Sequence, residues 1–449
     1  MTHPMLPCGV LADDLTGACD AGVQFSARGA RVLVLTGPDA ALPERGWDVL
    51  ALDTETRHAP PDEAARVVAQ AAGRLARAGW PVRYKKIDST LRGAVAAELR
   101  PLRERGVPLV VAPAFPAAGR TVEGGRLLVQ GVPVERTEIG RDRHNPVPVG
   151  SLPALLGDLG PVGELALLDV EEGAAGVSLR LGELLRRGLP LIVADATADA
   201  HLEHLAAALV KAAGTRGAAG APVAVGSAGL ARALAAVLLP QLTPPALPPD
   251  FPRAGPVLVV AGSRSAVTRA QVERLLGEPG VRGLALDVAP LDGTDWEARA
   301  GDWVAARAAE LAALARADAA ALVLTLAPGA GAEDPARFAR RSHRLNVALG
   351  ALVARVLAAQ AAAPPAGPPA LGGLVLTGGD IARAVLGALG GEALQLGPEV
   401  LPGIPLGWPV TGPQAGLPVV TKAGGFGGAE ALCDAVRCLR QGVPAGRQP

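Results

Sequence analysis

Short apolar runs alternate with longer segments of helical spacing along nearly the whole chain, and this alternation most restricts the fold. Residues 9–12, 31–35, 48–53, 82–87, 108–112, 165–170, 191–195 and 223–226 read as strands. Residues 62–78 and 91–104 read as helices among them. Strand–helix repetition of this kind builds α/β layers around a largely parallel sheet. The pattern breaks at residues 241–256, QLTPPALPPDFPRAGP, where six prolines exclude regular structure and stiffen the backbone. It then resumes, with strands at 257–261, 320–326, 374–377 and 418–421, and helices at 266–276, 341–363 and 427–440. A Pro-rich loop at 364–370 is expected between them. The expected organisation is two α/β domains, 1–240 and 257–449, joined by the linker 241–256, with the active site in the cleft between them.

The composition narrows the function. Of 449 residues 49% are hydrophobic, enough for large cores, and Lys+Arg and Asp+Glu balance at 43 each. No overall field favours nucleic acid or a membrane surface, so the expected partner is a small molecule, and a homodimer is compatible with it. The four cysteines lack zinc-ligand spacing and read as reduced thiols of a cytoplasmic protein. No signal peptide is expected at the start, and no stretch reads as long enough to cross a bilayer without charge, Gly or Pro.

Three places in the first half can carry chemistry. After the first strand come Asp13 and Asp14, then Thr16 and Gly17, then a helical face of Ala18, Ala21, Gly22 and Phe25. A strand-to-helix loop of this type lies at the ligand-binding mouth of an open α/β sheet. One acid there can serve as an N-cap, but two adjacent carboxylates repel and point to a site. The second place is residues 84–93, YKKIDSTLRG. Tyr84, Lys86 and Asp88 share a strand face, Ser89 or Thr90 can cap the next helix, and Arg92 falls in its first turn. A cation at that positive helix end invites an anionic ligand, although a solvated surface pair reads equally well. The third is residues 112–121, APAFPAAGRT, a small-residue loop in which Arg120 could clamp an anion. The polar loop holding Asp142 and the turn Gly226-Ser227-Ala228-Gly229 are further candidates.

In the second half, three loops follow expected strands: Gly262-Ser263-Arg264-Ser265, Thr377-Gly378-Gly379-Asp380, and Lys422-Ala423-Gly424-Gly425-Phe426-Gly427-Gly428. Glycines admit close backbone approach and helix starts supply N–H donors, so together they suggest a nucleotide cradle. There is no GxxxxGK[ST] and no GxGxxG with a trailing acid, so neither a P-loop nor a dinucleotide site is indicated. His201 and His204 stand on a polar helical face with no third ligand nearby, and no resident metal site is expected. A Ser-His-Asp hydrolase has no GxSxG elbow here.

In joint order, ADDLTGA at 12–18, KKIDSTLRG at 85–93, APAFPAAGRT at 112–121, GSAGLA at 226–231, GSRS at 262–265, GGD at 378–380 and KAGGFG at 422–427 resemble the four-carbon acid sugar kinase family. That family includes 3-oxo-tetronate, D-threonate and D-erythronate kinases. The resemblance implies an N-terminal acid-sugar domain, a C-terminal ATP domain, and transfer of the γ-phosphoryl of ATP to the terminal hydroxyl of a four-carbon sugar acid. Three loops depart from the family's commoner forms: GGD for GGE, GSRS for a GSCS-like loop, and KAGGFG for KxGNFG. The reading this supports makes Asp14 the base or hydroxyl-orienting group, with Asp13 positioning the substrate and Lys86 beside them. Asp88, Ser89, Arg92, Arg120 and Asp142 would bind the acid. Ser263, Ser265, Gly378, Gly379, Asp380, Gly424 and Gly425 would bind ATP with Mg²⁺. Two other readings stand beside it: a sugar-acid lyase or aldolase with Lys86 as Schiff-base amine, and a non-catalytic two-domain sensor of an acidic metabolite.

Overall fold

A parallel sheet covered by helices buries its strands on both faces, so its strands lack polar alternation. Residues Cys8–Ala12 (β1) and Val49–Asp53 (β3) meet that condition at every position. The computed structural model of the protein describes residues 5–443 apart from 45, 143–144, 241–246, 263–264, 292, 294, 316–317, 327–334 and 363–369. These fall into two units, Met1–Pro245 and Ala246–Pro449.

In the first unit β1 is followed by Leu15–Ser26 (α1), Val32–Leu35 (β2), β3, Pro61–Arg77 (α2), Val82–Lys86 (β4), Val95–Arg103 (α3) and Leu109–Ala112 (β5). A separate antiparallel sheet comes next, Arg120–Glu123 (β6), Arg126–Val129 (β7) and Val132–Pro133 (β8). Then come Leu152–Leu156 (α4), Val162–Leu165 (β9), Leu167–Glu171 (α5), Gly173–Arg186 (α6), Leu191–Ala194 (β10), Asp199–Gly220 (α7), Val223–Gly226 (β11) and Ala228–Leu238 (α8). The main sheet has the order β2-β3-β1-β4-β11-β5-β10-β9, every pair parallel. The chain lays β3 on one flank of β1 and β4 on the other, which makes β1/β4 a topological switch point. Ala12 is in register with Asp53 and with Lys86, and Gly226 with Lys86 and Ala112. The loops carrying Asp13, Asp88 and Arg57 therefore leave the same carboxyl edge.

The second unit runs Val257–Ala261 (β12), Ala266–Leu276 (α9), Val281–Leu286 (β13), Trp296–Leu314 (α10), Ala321–Leu326 (β14), Pro335–Ala361 (α11) and Gly373–Thr377 (β15). It ends with Gly379–Ala388 (α12), Ala393–Leu401 (β16), Ile404–Pro409 (β17), Val419–Lys422 (β18) and Ala431–Gln441 (α13). Here β13-β14-β12-β15-β18 are parallel, and β17 and β16 continue the sheet antiparallel. The switch point is β12/β15. Its core packs Val257, Val259, Val323 and Val375 of the sheet against Leu432, Val436 and Leu439 of α13.

The structure departs from the sequence reading at several elements. The apolar run 165–170 is the end of β9 followed by α5. The Asp169 carboxylate accepts the Ala166 N–H at 2.9 Å and starts a helix there. The helix expected from residue 91 begins at Val95, because Leu91 (φ 63°) and Gly93 (φ 92°) hold left-handed conformations that no helix continues through. The last helix begins at Ala431 rather than 427, since Gly427 also has positive φ. Lys422, expected in a loop, closes β18. The hairpin β16–β17, strand β13 and the small sheet β6–β8 carry no clear sequence signal. Residues 340–361 of α11 are long and apolar enough to cross a membrane by length and composition, although Arg340, Arg341, Arg344, Gly350 and Arg355 interrupt the segment, as the sequence reading expects of every long apolar stretch. One face of that helix is buried through Leu345, Leu349, Leu352 and Val356, and it packs on α10 and α12. All four cysteines are buried, and none forms a disulfide. The linker residues 241–246 and most of the loop 364–370 lie outside the described residues.

Candidate active site

The site of the first unit is assembled from loops after β1, β3 and β4. Asp14 is the N-cap of α1: Oδ1 accepts the Gly17 N–H at 2.7 Å and Oδ2 the Thr16 hydroxyl at 2.9 Å. Such a cap satisfies orphan helix donors while leaving the carboxylate at a helix start. Gly17 is required by close approach. A Cβ there would lie 2.6 Å from Asp14 Oδ1 and 3.2 Å from Lys86 Nζ. The side chain of Asp14 is 21% exposed, whereas that of Asp13 is 2% exposed.

Asp13 faces Arg57, which the sequence reading did not single out. Arg57 donates through Nε to Oδ2 and through Nη2 to Oδ1, the latter at 2.9 Å. The same guanidinium lies 3.1 Å from Asp14 and 3.6 Å from Asp88. Burial alone would raise the Asp13 carboxyl, but Arg57, with Lys85 and Lys86, holds it below its ordinary value. The backbone of the Arg57 loop is tied to the same residue: Asp13 O accepts the N–H groups of Thr56 and Arg57, each at 3.0 Å.

Asp88 organises the turn after β4. Its carboxylate accepts the Thr90 N–H at 3.1 Å, the Thr90 hydroxyl, and both forks of Arg92 at 2.8 Å. Burial opposes ionisation, yet Arg92 and Arg57 keep the group well below the usual carboxylate range. Arg92 thus sits in a turn ahead of α3, and the helix-end argument for it fails. Likewise neither Ser89 nor Thr90 caps that helix, whose N-cap is Ala94 without a side-chain bond. Ser89 is buried in the turn. The left-handed Leu91 marks local strain of the type that gathers at functional sites.

Lys86 is 4% exposed, donates to Ile87 O at 3.1 Å and lies 4.0 Å from Asp20. Beneath it Lys85 is fully buried against Glu98 at 2.5 Å, and burial pushes the Glu98 carboxyl up against the pull of Lys85. Arg120 opens β6. It donates to Ala118 O, its buried Nε has no hydrogen-bond partner among the described residues, and it feels Asp88 and Arg92. Asp142 is exposed and accepts the Asn145 N–H at 2.8 Å, while Asn145 meets His58, next to Arg57, at 3.2 Å. The structure therefore brings Asp13, Asp14, Lys86, Asp88, Ser89 and Arg92 into one cluster, sets Arg120 electrostatically beside it, and leaves Asp142 exposed at its margin.

In the second unit the three glycine-bearing loops also share an edge, because Ala261 pairs with Thr377 and Thr377 with Lys422. Gly378 (φ 102°) caps α12 with open space where a Cβ would stand, Gly379 starts that helix, and Asp380 is exposed in its first turn. Ser265 is the N-cap of α9. Gly424 and Gly425 follow β18, and a Cβ on Gly425 would meet nothing within 4 Å. Ser263 and Arg264 lie outside the described residues. His201 and His204 use their Nδ1 atoms on Thr197 and on Val170 O.

Comparison with known proteins matches two family models to the chain. Residues 8–234 match the family described as a sugar-binding N-terminal domain, and residues 258–432 the one described as a nucleotide-binding C-terminal domain. The chain is 37% identical to a D-threonate kinase of Salmonella typhimurium, over 96% of this chain and 98% of that one. It is 33% identical to a 3-oxo-tetronate kinase of Methylobacterium radiotolerans, over 95% and 97%. A crystal structure from Salmonella typhimurium, 24% identical, superposes with a TM-score of 0.75 over 95% of this chain and 98% of that one, and shows the same fold. With these two family-model matches and full-length relatives of this identity, the chain belongs to the four-carbon acid sugar kinase family.

Proposed function

We propose that this protein transfers the γ-phosphoryl of ATP to the terminal hydroxyl of a four-carbon sugar acid, D-threonate being the first substrate to test. The observation that carries this reading is the cluster at the carboxyl edge of the first unit. There one partly exposed carboxylate, Asp14, is held among buried guanidinium–carboxylate pairs. Phosphoryl transfer asks chiefly for positioning and charge neutralisation, and this cluster is built for both. Asp14 orients the attacking hydroxyl and receives its proton. Asp13, spent on Arg57, acts through that guanidinium by fixing it against Asp14. Arg92, Arg120 and Lys86 offset the negative charge of the acid and of the transferring group. Ser89 and Asp142 complete the acid side.

The nucleotide binds the second unit on the loops bearing Ser265, Gly378, Gly379, Asp380, Gly424 and Gly425, with Ser263 in the same segment. No group of three or more metal-ligating side chains occurs among the described residues. The exposed Asp380 carboxylate at that edge would be the acid available to a Mg²⁺ accompanying ATP. When bound, such an ion would supply charge neutralisation on the phosphates. A Schiff-base role for Lys86 has no support, because its amine is buried on a carbonyl and near Asp20. Kinase relatives likewise weigh against a sensor without turnover.

A coupled ADP-release screen over D-threonate, D-erythronate, L-threonate and 3-oxo-tetronates tests the assignment. Acid-dependent ADP formation with at least one of them is expected. ATP binding without turnover on any would overturn it.

A further inference from the structure

Lys422 has no role in the reading above, yet its surroundings are specialised. It is 1% exposed, and Nζ donates to the carbonyls of Ala423 at 2.9 Å, Gly424 at 3.3 Å and Phe426 at 3.0 Å. From α9, Gln271 Nε2 donates to the carbonyls of Phe426, Gly427 and Gly428 at 3.0, 3.1 and 2.9 Å, and the Thr268 hydroxyl to that of Gly424 at 2.8 Å. Three side chains thus draw the carbonyls of five loop residues toward the protein. In a planar trans peptide the C=O of one residue is antiparallel to the N–H of the next. The N–H groups of Gly424, Gly425, Gly427, Gly428 and Ala429 consequently turn away, toward the exposed side of the loop. None of them makes a hydrogen bond among the described residues. A run of outward N–H groups of this kind is an anion-binding concavity.

We infer that Lys422 is the positioning residue of this loop: its buried ammonium gathers the loop carbonyls, presents the glycine N–H groups to the nucleotide phosphates, and gains its counter-charge from them. The inference rests on the assignment of ATP to the second unit.

The charge balance supports it. Nζ is held by loop carbonyls, of which it shares Gly424 O with the neutral Thr268 and Phe426 O with the neutral Gln271, and Thr377 of β15 is the backbone register partner. The ion pair linking α9 to the segment before α13, Arg274–Glu430, is exposed. Burial without a carboxylate lowers the Lys422 pKa to about 8. A phosphate bound across the loop favours the charged amine, so by linkage the protonated form binds nucleotide more tightly.

Calorimetric titration of the full chain with ADP and Mg²⁺ between pH 7 and 9.5 tests this. Wild type should lose affinity about tenfold across an inflection near pH 8, the scale of one charge interaction. Lys422→Met should bind about tenfold or more weakly at pH 7, with no inflection. Its KM for the acid should stay within about twofold, since that site lies on the other unit. Gln271→Leu removes a neutral support, so it should weaken binding while keeping the inflection. It also serves as the comparison if Lys422→Met does not fold. Wild-type affinity flat through pH 8, or a Lys422→Met profile parallel to wild type, overturns the inference alone. Failure of wild type to bind ADP at any pH overturns the nucleotide assignment as well.

Discussion

Arg57 and Asp13 form a buried ion pair between the loops after β3 and β1, with Nη2 to Oδ1 at 2.9 Å and side-chain exposures of 9% and 2%. The pair ties the loop after β3 to the loop after β1, one of the two strands at the switch point, and fixes where the Asp14 carboxylate can stand. Arg57→Met should leave Asp13 buried without the counter-charge bonded to it, with only the more distant Lys85 and Lys86, and destabilise the protein by about 3–5 kcal/mol. Adding Asp13→Asn should recover part of that loss. Urea unfolding of the two variants reads it, and a single-variant loss below about 1 kcal/mol would mean the pair is solvent-screened.

Arg92 is pinned on Asp88 by a two-pronged bond, and its side chain remains 40% exposed. Arg92→Ala should raise the KM for the sugar acid by an amount corresponding to about 1.5–3 kcal/mol, the scale of a charged hydrogen bond. The KM for ATP should not change. A change confined to thermal stability would make Arg92 a structural partner of Asp88 and nothing more.

Asp88 also predicts the acid limb of stability. Its folded pKa lies below its unfolded value, so its contribution is fully present above about pH 3.9 and is lost as pH falls through the folded pKa. Asp13 acts in the same direction. Between pH 6 and 2.5, wild type should lose stability more steeply than Asp88→Asn, and the gap between the two curves should narrow toward the acid end. Parallel urea midpoints across that range would contradict the assignment.

The nucleotide loop can be probed where the fold leaves room. A Cβ at Gly425 meets nothing, whereas at Gly427 (φ 80°) it would lie 2.5 Å from the Ala431 Cβ. Gly425→Val should therefore raise the ATP KM about tenfold by blocking backbone approach, with melting temperature nearly unchanged. Gly427→Ala should cost stability as well, about 1–2 kcal/mol from the left-handed backbone alone. An increase in the acid KM rather than the ATP KM would reverse the assignment of the two units.

Much of the fold is legible in the sequence, because strands buried on both faces read as unbroken apolar runs and their ends set the loops on one edge. Asp13, Asp14, Asp88 and Arg92 stand out as charges at such ends. Arg57 does not, because it follows β3 inside a polar stretch with no glycine or paired acid. Its only signal is that β3 also ends beside β1, which depends on strand order. The start of α3 is misjudged for a related reason: the Asp88 carboxylate competes for the N–H groups of the following residues and winds them into a turn. Lys422 looks like a loop cation, and only its register with Thr377 shows it inside the sheet edge.

The most direct measurement is single-turnover transfer from γ-labelled ATP to D-threonate, or to the best acid of the screen, by wild type and Asp14→Asn. Asparagine keeps the α1 cap and removes the charge. The phosphorylated acid should form in wild type, and the variant's transfer rate should fall by about 10²–10⁴, toward the lower end for a loose transition state. Its unfolding midpoint should stay close to wild type. A transfer rate within a few-fold of wild type would contradict Asp14 as the group that orients and deprotonates the hydroxyl, and would move that role to another carboxylate of the cluster.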